Sequence, residues 1–76
     1  MTTRDDLGAT LRVLRLRAGL SQERLEHASR LHRTYVSSVE RGERNPSFEA
    51  IARWLAAVKV SWREFGEALD RQAKRG

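Results

Sequence analysis

The chain has no cysteine, one proline and no long hydrophobic run, and each shortage removes a class of protein. Without cysteine there is no disulfide framework, no thiolate metal site and no thiol redox chemistry. No stretch approaches the roughly 18 apolar residues of a membrane span. The start, Met1-Thr2-Thr3-Arg4-Asp5-Asp6, is polar rather than a basic end followed by an apolar run, so it does not read as a secretion signal. These absences together point to a cytoplasmic protein with no membrane partner. Histidine is scarce as well: only His27 and His32 occur. Their spacing straddles a turn, so no metal site is expected, and His32 reads better as a helix cap. No Gly-rich loop, Ser/His/Asp set or paired-carboxylate pattern stands out, which argues against an enzyme.

What is present is 76 residues carrying a net charge of +5. A chain of this size buries only about 60% of the surface its unfolded form exposes, which disfavours a deep catalytic pocket and favours binding. Lacking covalent staples, it must rely on efficient helix packing or on a partner subunit. One domain spanning 1–76 is expected, with no cofactor, no small-molecule ligand and no sensor domain. Of the 15 basic residues, 13 are Arg, whose planar fork suits phosphates and guanine edges better than Lys does. Nucleic acid is therefore the first partner to test, although GC-rich coding also favours Arg.

Hydrophobic spacing is helical throughout. Leu7, Leu11, Leu14 and Ala18 mark one face of a first helix over residues 7 to 18, with Asp5 or Asp6 as its cap and Gly19 at its end. Ser21 caps a second helix, stapled by Leu20 and Leu25 and ending near Ala28. A third opens around His32 or Arg33, carries Tyr35, Val36 and Val39, and stops at Gly42. Two short helices joined by Ser29-Arg30-Leu31 have the layout of a helix-turn-helix over about 21–41. After the polar Glu43-Arg44-Asn45-Pro46, Ser47 caps a fourth helix with Ile51, Trp54, Leu55 and Val58. Ser61-Trp62-Arg63-Glu64 is a capping box for a fifth, which runs to about Ala73 before a fraying basic end. The fold class is all-α, five helices.

The third helix differs from an ordinary solvated face. Its outward positions are Arg33, Thr34, Ser37 and Ser38, short hydroxyls and one Arg that can enter a major groove and meet base edges. Gln22, in the exposed first turn of helix two, suits a phosphate contact, as do Arg44, Asn45 and Ser47 in the following loop. Arg15 lies on the apolar face of helix one and Glu40 on that of helix three. Each charge alone near the core is costly, so the two are expected to pair.

Gly19-Leu20-Ser21-Gln22-Glu23-Arg24-Leu25, Leu31-His32-Arg33-Thr34-Tyr35-Val36-Ser37 and Val39-Glu40-Arg41-Gly42, with Arg44-Asn45-Pro46-Ser47, resemble the phage repressor and Cro type of helix-turn-helix regulator across about residues 7 to 65. The resemblance implies a compact five-helix domain whose helices two and three bind DNA, acting as a homodimer on a two-fold symmetric operator. By position it implies phosphate contact at Gln22 and also at Tyr35, base or adjacent backbone contact at Arg33, Thr34, Ser37 and Ser38, and a buried Arg15–Glu40 pair. Within that family, the recognition segment and short C-terminal part are similar to controller proteins of restriction-modification systems. RNA polymerase is a further partner such a regulator implies.

For the dimer surface, the region 54–73 is expected to supply Trp62, Phe65 and Leu69, some of which must instead close the core. A protein-interaction module such as an antitoxin of the same fold is the alternative, and an RNA-binding domain is disfavoured by the lack of exposed aromatic platforms. Three residues depart from the family pattern: Glu26 where Ala is usual, Arg30 where the turn usually has Gly, and Lys59 where Gly is common. A fully buried Glu26 is incompatible with the expected geometry of helix two.

Overall fold

The computed structural model describes residues 3–75. Met1, Thr2 and Gly76, which belong to the polar start and the basic end noted above, lie outside the described residues. Five helices follow one another: α1 (Arg4–Arg17), α2 (Gln22–Ser29), α3 (Arg33–Glu40), α4 (Phe48–Val58) and α5 (Trp62–Arg75). No strand occurs among the described residues, and none of the helices is long and apolar enough to cross a membrane.

The apolar stripes converge on one core of Leu11, Leu14, Leu25, Val36, Val39, Trp54, Leu55, Val58 and Phe65. Trp54 is its centre, fully buried, and its indole Nε1 donates to the Leu11 carbonyl at 3.2 Å, so the one polar atom of the ring is satisfied. α1 packs against α3, α4 and α5, while α2 packs against α3 and α4. The helix-turn-helix is thus backed on two sides and open on the third.

Two boundaries differ from the sequence expectation. α1 begins three residues early, because Thr3 and not Asp5 or Asp6 is the cap. Thr3 Oγ1 accepts from the Asp6 amide at 3.2 Å and Asp6 Oδ2 accepts from the Thr3 amide at 3.0 Å, a reciprocal box. Asp5 and Asp6 instead sit in the first turn, where negative charge suits the helix dipole. At the other end α5 continues through Lys74 and Arg75, whose positive charge suits a helix C-terminus. Its start is the Ser61 and Glu64 box, with both hydrogen bonds at 3.0 Å. Hydrogen bonding to the Ser61 backbone amide, and then to the Ser61 hydroxyl, holds the Glu64 carboxyl below its usual range.

Candidate nucleic-acid interface

Ser21 Oγ accepts from the Arg24 amide at 3.0 Å and starts α2, and the left-handed Arg30 (φ 66°) ends it. That conformation costs a non-Gly residue about 1 kcal/mol, and the turn is held by its own side chains. Ser29 Oγ accepts from the Leu31 amide at 3.1 Å, and His32 Nδ1 accepts from the Thr34 amide at 3.1 Å, capping α3. Glu26 is half-buried, not fully buried, and its Oε2 reaches across the turn to accept from the Arg33 amide at 2.9 Å.

Behind this unit, Arg15 donates through Nε to Glu40 Oε2 at 2.6 Å and through Nη2 to Oε1 at 2.9 Å. The two side chains are 7% and 3% exposed. Arg15 Nη1 also donates to the Leu20 carbonyl at 2.8 Å. Gln22 Nε2 adds a donor to Glu40 Oε1 at 3.0 Å. The fork-on-fork geometry and the extra donors give this buried pair the satisfied surroundings it requires. They also tie α1, α2 and α3 at one point.

On the open side, Arg33 and Thr34 are exposed and Ser37 and Ser38 half-buried, one turn apart along α3. Ser38 Oγ donates to the Thr34 carbonyl at 2.9 Å, which leaves its lone pairs outward. Ser37 Oγ accepts from Arg41 Nη1 and keeps its own proton to donate. Arg33 Nη1 lies 3.5 Å from Glu23 Oε2, an exposed pair of small energetic weight. Arg41 forks onto Glu43 with two contacts of 3.0 Å. Hydrogen bonding to Arg41, and then its charge, holds the Glu43 carboxyl below its usual range.

The loop after α3 is held against that helix at Tyr35. Tyr35 Oη accepts from the Ser47 amide at 3.2 Å, and the Arg44 guanidinium sits 5.4 Å from the centre of the Tyr35 ring, a cation–π contact. Ser47 Oγ caps α4 by accepting from the Ala50 amide at 3.0 Å. Both hydroxyls are used as acceptors, so both retain a proton to donate outward. Asn45 is exposed in the same loop, and one amide hydrogen of the half-buried Gln22 remains beyond its bond to Glu40.

Residues 6–69 match the helix-turn-helix domain family. The chain belongs to that family. Among its helix-turn-helix relatives, the control protein C.BamHI of Bacillus amyloliquefaciens is 43% identical over 54 residues, 70% of this chain and 67% of that protein. The control protein C.SmaI of Serratia marcescens is 39% identical over 61 residues, 80% of this chain and 73% of its own. In three dimensions the chain is similar to the restriction-modification controller protein C.Esp1396I, with a TM-score of 0.88 at 30% identity over 93% of each chain.

The residues expected at the dimer surface separate. Phe65 is 6% exposed and belongs to the core, the role that some of the three were expected to take. Leu69 is half-buried against that core. Trp62 is 46% exposed and stacks on Phe48, which is 75% exposed, with ring centres 5.1 Å apart, so the expected lack of exposed aromatics does not hold; the two faces cover each other in part. Phe48 was not anticipated. Its only signal is a large aromatic in the first turn of α4, where the apolar stripe overhangs the end of the core.

Proposed function

We infer that the protein is a sequence-specific, double-stranded-DNA-binding transcriptional regulator of the restriction-modification controller type. It acts in the cytoplasm as a homodimer on a two-fold symmetric operator, and it is a binder of DNA, not an enzyme. The observation that carries this reading is the open face of α3. Arg33, Thr34, Ser37 and Ser38 form a polar ridge along α3, Gln22 is bound to Glu40 at the end of that helix, and Ser47 and Arg44 lie against Tyr35, with Asn45 exposed in the same loop.

A ridge of that kind fits a major groove with phosphates at its rims. Arg33 supplies a fork for guanine, Ser37 a donor and Ser38 an acceptor, a directional pattern that base edges can satisfy or fail to satisfy. Support also comes from C.Esp1396I, which has been solved as a tetramer in complex with its natural 35 base-pair operator and bound to a 25 base-pair operator site. Variants of that protein replace an arginine, a threonine and a tyrosine in succession, and a second arginine further on. The same residue types stand here, in the same order and spacing, as Arg33, Thr34, Tyr35 and Arg44.

Dimerisation is assigned to the exposed stack of Phe48 on Trp62, with the half-buried Leu69 two turns further along α5. Phe48 and Trp62 are two of the three exposed large hydrophobics among the described residues and stack on each other, and a second copy would cover them. The deciding experiment is footprinting on the DNA upstream of the protein's own gene at several salt concentrations. Protection of two symmetric half-sites about one helical turn apart supports the reading, and uniform protection without sequence preference overturns it.

A further inference from the structure

Glu26 touches both ends of the turn that presents α3. Its carbonyl accepts from the Arg30 amide at 2.8 Å, and its carboxylate accepts from the Arg33 amide at 2.9 Å, seven residues along the chain. With Ser29 Oγ on Leu31 and His32 Nδ1 on Thr34, four of the five amides from Arg30 to Thr34 are closed by groups of α2 and the turn. Of these closures only the Glu26 carboxylate comes from α2 proper and lands on the first residue of α3. It therefore links α2 directly to the first backbone amide of α3, across a turn that holds Arg30 at positive φ, whereas Gln22 meets α3 at its far end through the Glu40 side chain.

A carboxylate accepting a backbone amide is a charge-assisted bond, shorter and stronger than a neutral one. At the first turn of a helix it also meets the positive end of the dipole. The amide it holds belongs to Arg33, so its position sets where the base-facing end of α3 begins.

We propose that Glu26 is a positioning residue for base reading: the bond from its carboxylate to the Arg33 amide fixes the N-terminal end of α3 so that Arg33 and Thr34 enter the groove in register. The proposal rests on the reading that α3 contacts bases. Phosphate contacts tolerate a small displacement of α3, whereas bidentate contacts to a base do not, because their specificity lies in angle as well as distance. Loss of the tie then lowers discrimination more than it lowers general DNA affinity. Glu23, one turn earlier, reaches the Arg33 side chain only at 3.5 Å between exposed groups and does not hold the backbone.

The test uses a duplex enriched from a random pool by the unmodified protein, together with a random-sequence duplex of the same length. Three variants separate the causes. Glu26→Ala removes bond and charge, Glu26→Gln removes the charge but keeps an oxygen that can accept, and Glu26→Asp keeps the charge but shortens the reach. The ratio of selected-site to random affinity is expected to fall about tenfold for Ala and Asp and less than about threefold for Gln, on the scale of one well-formed base contact. Circular dichroism at the assay temperature checks that each variant is folded, and partial unfolding lowers both affinities together without moving the ratio. A wild-type ratio in Asp, or equal ratios in Ala and Gln, overturns the positioning role while leaving the DNA-reading function intact. Failure of the unmodified protein to enrich any sequence overturns that function and the proposal with it.

Discussion

Gly8 of α1 lies so close to Val39 of α3 that a Cβ built on Gly8 overlaps the Val39 carbonyl oxygen. The neighbour is backbone within a helix and cannot swing aside. Gly8→Ala is expected to push α1 and α3 apart and destabilise the fold by about 1 to 3 kcal/mol, the usual scale of overpacking. The shift of the urea midpoint at constant slope measures it, and an unchanged midpoint means the two helices separate freely.

The buried Arg15 and Glu40 pair is expected to be far more sensitive to single than to double replacement. Glu40→Leu leaves the Arg15 guanidinium buried without its counter-ion and should cost about 3 to 5 kcal/mol, whereas Arg15→Met combined with Glu40→Leu should recover most of that loss. Additive losses in the double-mutant cycle contradict the coupling the geometry implies.

Arg33→Ala is expected to lower operator affinity by about 1 to 3 kcal/mol and to relax preference at one base position, while Gln22→Ala weakens binding to all sequences alike. Competition against single-base operator variants distinguishes the two. Equal loss on operator and random DNA for Arg33→Ala would remove it from the base-reading set.

Phe48→Ser and Trp62→Ala are each expected to shift the protein from dimer to monomer at micromolar concentration, read by sedimentation, because each opens half of the exposed stack. Leu69→Ala should act less on association and more on stability, since that side chain also packs against the core. A dimer unaltered by both aromatic replacements places the interface elsewhere.

Arg30→Gly should stabilise the fold by up to about 1 kcal/mol, because Arg30 holds φ 66° and glycine carries no steric penalty there. Thermal unfolding detects the change, and the Glu26 tie to the Arg33 amide does not depend on the side chain at position 30.

Much of this was readable from spacing alone. The Leu11 and Leu14 stripe, the Ser21, Ser47 and Ser61 caps and the punctuating Gly19 and Gly42 are local signals, and local signals set helices. The dissection of Trp62 from Phe65 was not readable. Both lie near one face of α5, and only the way that helix docks on the rest of the bundle, chiefly on α1, decides which ring is covered. Glu26 was visible as a departure but not as a tie, because its reach to Arg33 exists only once Arg30 has turned the chain. Thr3 lost to Asp5 and Asp6 for a similar reason. All three are good caps in isolation, and the reciprocal bond with Asp6 makes the earlier position the better one.

The closure of the turn amides by Glu26, Ser29 and His32 bears on kinetics as well as on shape. A reading helix already docked before it meets DNA has little backbone left to order, so association loses less chain entropy than it does for a segment that folds on its target. Encounter is then governed by orientation and by the field of the arginines around the face, and the heat-capacity change of binding reflects the surfaces that meet, without a contribution from a helix being made.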